Sequence, residues 1–255
     1  MANALYLSEH FSALWEGKDP FEEVEKITGD VYRELDGRTT LRFEVAGKGY
    51  FLKIHRGVGW KEIVKNLVQL RLPVLGAENE WKAIDKLKSI DVDTMTYVAY
   101  GKKGINPAKQ LSFIITEDLA GCISLEDYFL AMPVEDRASA KAEGLISKLA
   151  DSVKLMHQHG VNHRDLYICH FLFDPKKVES EQTLHVIDLH RAQIREKVPY
   201  RWLLKDVASV VYSMKEVCAS KDQISIFTRL YNRSGDSEFW SAVMKKSDAL
   251  LAKVI

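Results

Sequence analysis

The chain has little of what marks secreted, membrane or nucleic-acid-binding proteins. It has only three cysteines, Cys122, Cys169 and Cys218. They lie far apart, are odd in number and form no Cys-x-x-Cys pair, so no disulfide framework is expected, and free thiols in a reducing compartment are the simplest reading. No run of about 18 apolar residues occurs, so no transmembrane helix is expected. The N-terminus carries Glu9 and His10 and lacks the basic start and apolar stretch of a signal peptide. Lys and Arg number 36, as do Asp and Glu, leaving no net field to attract nucleic acid. Internal repeats and low-complexity segments are absent too. Together these absences point to a cytoplasmic chain that can still lie on a membrane surface.

What is present suits a globular protein. At 255 residues and 46% hydrophobic content, the chain can form one large domain or two lobes. Its first half reads as strands. Residues 31–35 and 39–45 flank an Asp36-Gly37 turn, and 50–54 form a third strand in which Phe51 and Lys53 share a face. Residues 57–76 have helical apolar spacing through Ile63, Leu67 and Leu70. A clearer helix spans 77–87, with Trp81, Ile84 and Leu87 as its packing face. Strands at 96–100 and 111–116 follow. Beyond residue 117 the pattern turns helical. Ser124 and Asp127 make a capping-box-like start. Leu145, Leu149, Val153 and Met156 form a core stripe that Gly160 ends. A short hairpin, 171–173 with 183–188, interrupts the helical half. The expectation is an α+β, two-lobed fold with a strand-rich lobe at 1–116, a hinge at 117–121 and a helical lobe at 122–255.

The chemistry concentrates in His163-Arg164-Asp165-Leu166-Tyr167-Ile168-Cys169-His170 and, further on, Val186-Ile187-Asp188. One carboxylate there can take the proton of an attacking hydroxyl, and the other can hold the magnesium that bridges nucleotide phosphates. Upstream, Lys53 lies between apolar neighbours on a strand, where an ammonium can neutralise phosphate oxygens. Its ordinary alternative is a lysine whose stem is buried and whose head reaches water. Glu80 can pair with Lys53 from the next helix. Glu78 competes with it, and both suit a helix N-terminus for dipole reasons alone. Asp165 can also be read as a turn residue and Asp188 as a strand-end cap. Order favours the chemical reading, because lysine, glutamate, linker and two aspartates occur in one sequence. His157, His159, His163, His170, His185 and His190 cluster near Cys169, as zinc ligands do. They straddle a helix end, and no His-Glu-x-x-His is present, so most are expected in loops or at the surface.

These residues resemble the protein-kinase-like fold. More closely, three strings resemble the lipopolysaccharide core heptose(I) kinases of Gram-negative bacteria: Phe51-Leu52-Lys53-Ile54-His55-Arg56-Gly57-Val58-Gly59-Trp60-Lys61-Glu62, Gly160-Val161-Asn162-His163-Arg164-Asp165-Leu166-Tyr167-Ile168-Cys169-His170 and Val186-Ile187-Asp188-Leu189-His190-Arg191-Ala192. The resemblance covers nearly the whole chain. It implies ATP-dependent phosphorylation of the first heptose of the inner core at the cytoplasmic face of the inner membrane. Asp165 becomes the catalytic base, Lys53 the phosphate-binding lysine, Glu80 its partner and Asp188 the Mg2+ ligand. Asp206 braces the catalytic loop, and the backbone from Glu117 to Leu119 contacts adenine. Acyl carrier protein is implied as a companion.

Several positions depart from ordinary protein kinases. His170 stands where a magnesium-binding asparagine is expected, and magnesium prefers oxygen. One metal, or contact through water, would suit that exchange. Only Gly37 marks the first hairpin, Leu189-His190 follows Asp188 in place of Phe-Gly, and no Ala-Pro-Glu follows. These features argue against a signalling protein kinase with a tyrosine or serine/threonine acceptor. Another core sugar, Kdo or the second heptose, is the alternative acceptor, and a pseudokinase scaffold is the non-enzymatic one. Arg191, Arg195, Arg201 and Lys205, with Lys197, Tyr200 and Trp202 interleaved, suit an anionic acceptor, Trp202 touching its lipid-proximal part. A second basic and aromatic stretch lies at 60–71. A solvated charged face is the plain alternative for both stretches.

Overall fold

The computed structural model describes residues 4–253, except 36, 58, 61–75, 107, 134–138, 218 and 232–235. The helical reading of 57–76, the basic stretch 60–71 and Cys218 therefore lie wholly or largely outside the described residues. The chain divides into two compact units. One comprises Met1–Ile84 and Met95–Ala120, the other Asp85–Thr94 and Gly121–Ile255.

The first unit is built on an antiparallel sheet of six strands. These are β1 (Ala4–Leu7), β2 (Asp30–Leu35), β3 (Arg38–Val45), β4 (Lys48–His55), β5 (Tyr97–Lys103) and β6 (Leu111–Glu117), in spatial order β1-β5-β6-β4-β3-β2. The two-residue period sorts the side chains of β4. Tyr50, Leu52 and Ile54 enter a buried cluster with Leu41, Phe43, Phe113 and Ile115. Phe11 and Trp15, from the helix Glu9–Leu14 and its C-terminal end, close that cluster, together with Phe21 and Val24 from the helix Pro20–Lys26. Each such side chain contributes about 1.5–3 kcal/mol by leaving water. Phe51 and Lys53 point to the opposite face, beside their ladder partners Thr116 and Ile114. There the helix Glu78–Lys88 lays Trp81 flat on Tyr100, with ring centroids 4.5 Å apart.

The N-terminal strand and two helices were not expected from the sequence. Elements of four, six and seven residues are too short for periodicity to reveal. Their readable signals are caps. Ser8 accepts the Phe11 N–H, and Asp19 accepts the Phe21 N–H directly before Pro20.

The second unit carries helices Leu125–Ala131, Ala140–Gln158, Tyr200–Glu216, Lys221–Tyr231 and Ser237–Leu251. Ser124, Ser139 and Asp236 each accept a first-turn N–H of the helix that follows. The stripe Leu145, Leu149, Val153, Met156 is buried as expected. Small ladders hold the loops between helices. β7 (Ile123–Ser124), β9 (Phe171–Phe173) and β10 (His185–Val186) form one, and β8 (Val161–Asn162) with β11 (Gln193–Ile194) forms the other. The expected strand 183–188 is thus shorter than its apolar pattern, and Asp188 lies beyond it.

The long helix ends at Gly160, whose φ is +80°. The glycine is required twice over. It adopts a left-handed conformation, and a Cβ there would come within 1.7 Å of the Arg195 carbonyl oxygen. Arg195 N–H in turn donates to Gly160 O at 2.9 Å, which ties β8 to β11. We predict that Gly160→Ala lowers unfolding free energy by at least about 2 kcal/mol, from backbone strain and steric displacement. Urea unfolding should show this as a lower midpoint. A change within about 0.5 kcal/mol would mean that the β8–β11 contact yields freely.

Candidate active site

The first unit contributes a lysine–glutamate pair. Strand alternation turns Lys53 off the core face, and Glu80, in the first turn of the helix Glu78–Lys88, meets it there. Lys53 Nζ lies 2.7 Å from Glu80 Oε1, with the Glu80 side chain fully buried and the Lys53 side chain partly exposed. Glu78, the competing carboxylate, pairs instead with Lys102 and with Lys82. Those two bonds hold the Glu78 carboxyl below its usual range, the Lys102 bond contributing most. The other oxygen of Glu80, Oε2, is buried without a hydrogen-bond partner. A carboxylate in that state costs stability unless a cation stays beside it. Phe51, on the Lys53 face, meets Tyr32 edge-on at 5.2 Å between centroids. No role for Tyr32 was read from the sequence. At the end of β6, the Glu117 and Asp118 N–H groups donate to Thr96 O and Gly49 O. Leu119 follows them outside the ladder.

The second unit contributes the acidic loop. Asp206, fully buried on the helix Tyr200–Glu216, accepts the backbone N–H of His163 at 2.7 Å and of Arg164 at 2.9 Å. These bonds hold Arg164 at a φ of +77°, a conformation unusual for a side-chain-bearing residue. The next residue, Asp165, is thereby presented at the surface of the unit. Its two oxygens lie 3.0 and 2.7 Å from Arg191 Nη1, and Lys205 Nζ is 3.4 Å from Oδ1. Lys205 also donates to the Arg164 carbonyl.

The β9–β10 ladder brings the second carboxylate into place. Ile187 N–H donates to His170 O, extending the pairing by one residue. Asp188 then turns left-handed, at φ 59° and ψ 48°, and starts the 3₁₀ turn Leu189–Arg191. Asp tolerates that conformation better than most residues. His190 Nδ1 lies 2.8 Å from Asp188 Oδ1, and His170 Nε2 lies 3.9 Å from Oδ2. His170 Nδ1 donates to the Asp165 carbonyl at 2.8 Å, so one imidazole links the two acidic positions. His163 Nε2 donates to Ile187 O at 2.9 Å and stacks on His170. Burial pushes the His163 pKa below its usual value.

The histidines are less exposed than expected. His157, His163 and His190 are buried. Their burial reflects bonds to distant partners, as in His157 Nδ1 to the Tyr231 hydroxyl at 2.7 Å, which joins two helices. The zinc alternative finds no ligand set. Among the described residues, no three His, Cys, Asp or Glu side chains group to hold a metal ion. Burial raises the Cys169 thiol to about 11, away from the thiolate that metals bind.

The four expected acceptor residues separate into three placements. Arg191 and Lys205 converge on Asp165. Arg195 bonds to Asn162 and Gln193, bracing β8 against β11. Arg201 lies 4.9 Å from the centroid of the Trp202 ring, and so does Arg164. Trp202 therefore serves as a platform for two guanidinium groups. Arg164 belongs to this cationic group although nothing in its sequence position indicated that.

Asp206→Ala would strand two buried N–H donors. At about 1–3 kcal/mol each, the loss should total about 2–6 kcal/mol. Asp206→Asn, which keeps one oxygen acceptor, should lose about half as much. Equilibrium urea denaturation of both variants checks the ratio, and equal losses would point to the charge, not the two bonds, as the source of stability.

Known proteins resemble this chain over most of its length. A family profile described as "Lipopolysaccharide kinase (Kdo/WaaP) family" matches residues 22–231. An Escherichia coli protein named lipopolysaccharide core heptose(I) kinase WaaP is 51% identical over 229 residues, covering 88% of this chain and 86% of its own length. The Pseudomonas aeruginosa protein of the same name is 49% identical over 231 residues, or 90% of this chain and 86% of its own. A solved structure of "WaaP in complex with acyl carrier protein" superposes with a TM-score of 0.83 at 41% identity, covering 97% of this chain and 99% of that one. The α+β, protein-kinase-like architecture read from the sequence is the fold of that relative. With nearly half its residues shared over most of its length, the chain belongs to the lipopolysaccharide kinase (Kdo/WaaP) family.

Proposed function

We propose that this protein transfers the terminal phosphoryl group of ATP to heptose I of the lipopolysaccharide inner core. The observation that carries the reading is the presentation of Asp165 and Asp188 by loops anchored to buried groups, in a chain whose relatives bear that name. In this reading, residues 1–116 hold the nucleotide, 117–121 act as the hinge, and 122–255 supply the base and the cation ligand. Lys53, kept in place by Glu80, neutralises phosphate oxygens. The base of ATP rests near Phe51 and Tyr32 and meets the backbone from Glu117 to Leu119, where Leu119 supplies the donor. Asp206 keeps the Asp165 loop in register.

Asp165 accepts the proton of the heptose hydroxyl as its oxygen attacks phosphorus, and ADP departs. Asp188 and His170 are the residues that would hold one Mg2+. Asp188 Oδ2 and His170 Nε2 lie 3.9 Å apart, and the His170 Nδ1 bond to Asp165 O fixes the imidazole ring. When bound, magnesium would neutralise charge on the phosphates. Asp188 would be its principal ligand and His170 a weaker one, since magnesium selects oxygen.

The acceptor is lipid-linked, and among the described residues no helix is long and apolar enough to cross a membrane. We propose that the chain acts as a peripheral protein at the cytoplasmic face of the inner membrane. Acyl carrier protein, which the structural relative binds, is proposed as a companion here too. Co-purification of the two from one host tests that association.

Two measurements test the main reading. Mass spectrometry of core oligosaccharide from cells lacking this chain should show one phosphate missing from heptose I. A phosphate missing from Kdo or heptose II instead would transfer the activity to that sugar. Asp165→Asn should lower turnover by roughly 10²–10⁴-fold with little change in ATP affinity, the range expected for a positioned general base. Turnover within about threefold of the parent would remove Asp165 from that role.

A further inference from the structure

We infer that Arg191 caps the proton acceptor, and that an anionic group on the acceptor sugar draws it away, so that Asp165 is released only by a negatively charged substrate. This rests on the kinase reading above. The first observation is positional. Arg191 Nη1 lies 3.0 and 2.7 Å from the two Asp165 oxygens. A hydroxyl that gives up its proton must come within about 2.6–3.2 Å of one of them. The guanidinium therefore takes the carboxylate edge between the two oxygens and competes there with a reacting hydroxyl. Lys205 Nζ, 3.4 Å from Oδ1, crowds the same carboxylate.

The second observation is a local surplus of positive charge. Arg191 and Lys205 contact Asp165, and Arg164, Arg201 and Lys205 lie against the Trp202 ring, while the Asp206 carboxylate is committed to two backbone N–H groups. Arg164 Nε is buried without a hydrogen-bond partner. Burial first, and then the Arg191 charge, push the Arg164 pKa down. A cationic cluster with an unpartnered buried donor is completed by an anion. A phosphate or carboxylate on the sugar accepts a guanidinium in two-pronged fashion and competes with Asp165 for Arg191.

Arg191 is able to make that exchange. It ends the 3₁₀ turn Leu189–Arg191, and its side chain retains 36% of its exposure, so it can swing from Asp165 without unpacking a core. Its position three residues after Asp188 makes the cap and the proposed cation ligand parts of one turn. An uncharged sugar has nothing to offer the guanidinium and leaves the base covered. The same cap keeps water from Asp165 while ATP waits. Without it, water can take the acceptor's place. The water oxygen bonds to the terminal phosphorus as the bond to the ADP oxygen breaks, one water proton passes to Asp165, and ADP and inorganic phosphate leave.

The test is ATP hydrolysis without acceptor, measured beside phosphoryl transfer to purified inner-core lipopolysaccharide. Arg191→Gln should raise acceptor-free hydrolysis roughly tenfold or more, a part of the 10²–10⁴-fold that a free general base supplies. Its transfer activity should fall through a higher KM for the acceptor, with calorimetric ATP affinity unchanged as the sign of an intact fold. Adding Asp165→Asn should remove the gain in hydrolysis, and Arg191→Lys, which keeps the charge on a shorter side chain, should fall between. If Arg191→Gln binds ATP normally but hydrolyses it no faster while the parent transfers phosphate to heptose, the cap is wrong and the kinase reading stands. If hydrolysis rises in Arg191→Gln but the parent does not phosphorylate heptose, the cap stands and the acceptor identity falls.

Discussion

The arrangement of the second unit depends on one buried carboxylate. Asp206 has no exposed surface and accepts two consecutive backbone N–H groups, from His163 and Arg164. A carboxylate is expensive to bury, and two short charge-assisted bonds offset that cost where a single one would not. Because the donors are consecutive, the peptide between them is fixed, and Arg164 takes a positive φ. Asp165 then has one direction to face. The ladders and stacked histidines around it refine this placement, but none could establish it with the loop free.

The Lys53–Glu80 pair follows the same logic on a sheet. A buried ion pair is poor evidence for stability, since apolar replacements of equal volume are often as stable. Here one Glu80 oxygen is buried and unpaired, which makes the arrangement more costly still. A fold that keeps such a pair keeps it for something other than stability. Charge presented to a phosphate is the use proposed above for Lys53.

Much of the framework was legible in the residues, for identifiable reasons. Alternation in 50–54 separates the core face of β4 from the Lys53 face, and the ladder reproduces it. Ser124 and Gly160 mark helix ends by chemistry that requires little context, a hydroxyl acceptor and a missing Cβ. The N-terminal strand and helices escaped because each is shorter than the window in which a period can be seen. The histidines escaped for another reason. Imidazole is equally at home in water or as a buried donor, and only the partner decides. His157 is buried because Tyr231, more than seventy residues away, offers a hydroxyl. The convergence of Arg191 and Lys205 on Asp165 was hidden too, since density of basic residues in a segment cannot say which of them turn inward.

That last point explains how a chain without net charge can suit an anionic partner. Its 36 basic and 36 acidic residues cancel only in the sum. Locally, most carboxylates near the loop already have work: Asp206 holds backbone, and Asp188 is engaged by His190. Arginines placed on the short turns after Asp188 and on the start of the Tyr200–Glu216 helix then outnumber the acids beside them. Screening limits long-range fields to about 8 Å at physiological ionic strength, so a substrate within that range meets this local surplus and not the neutral total. Selection of a charged sugar therefore needs no basic protein, only a turn that places its cations where the acids are already committed.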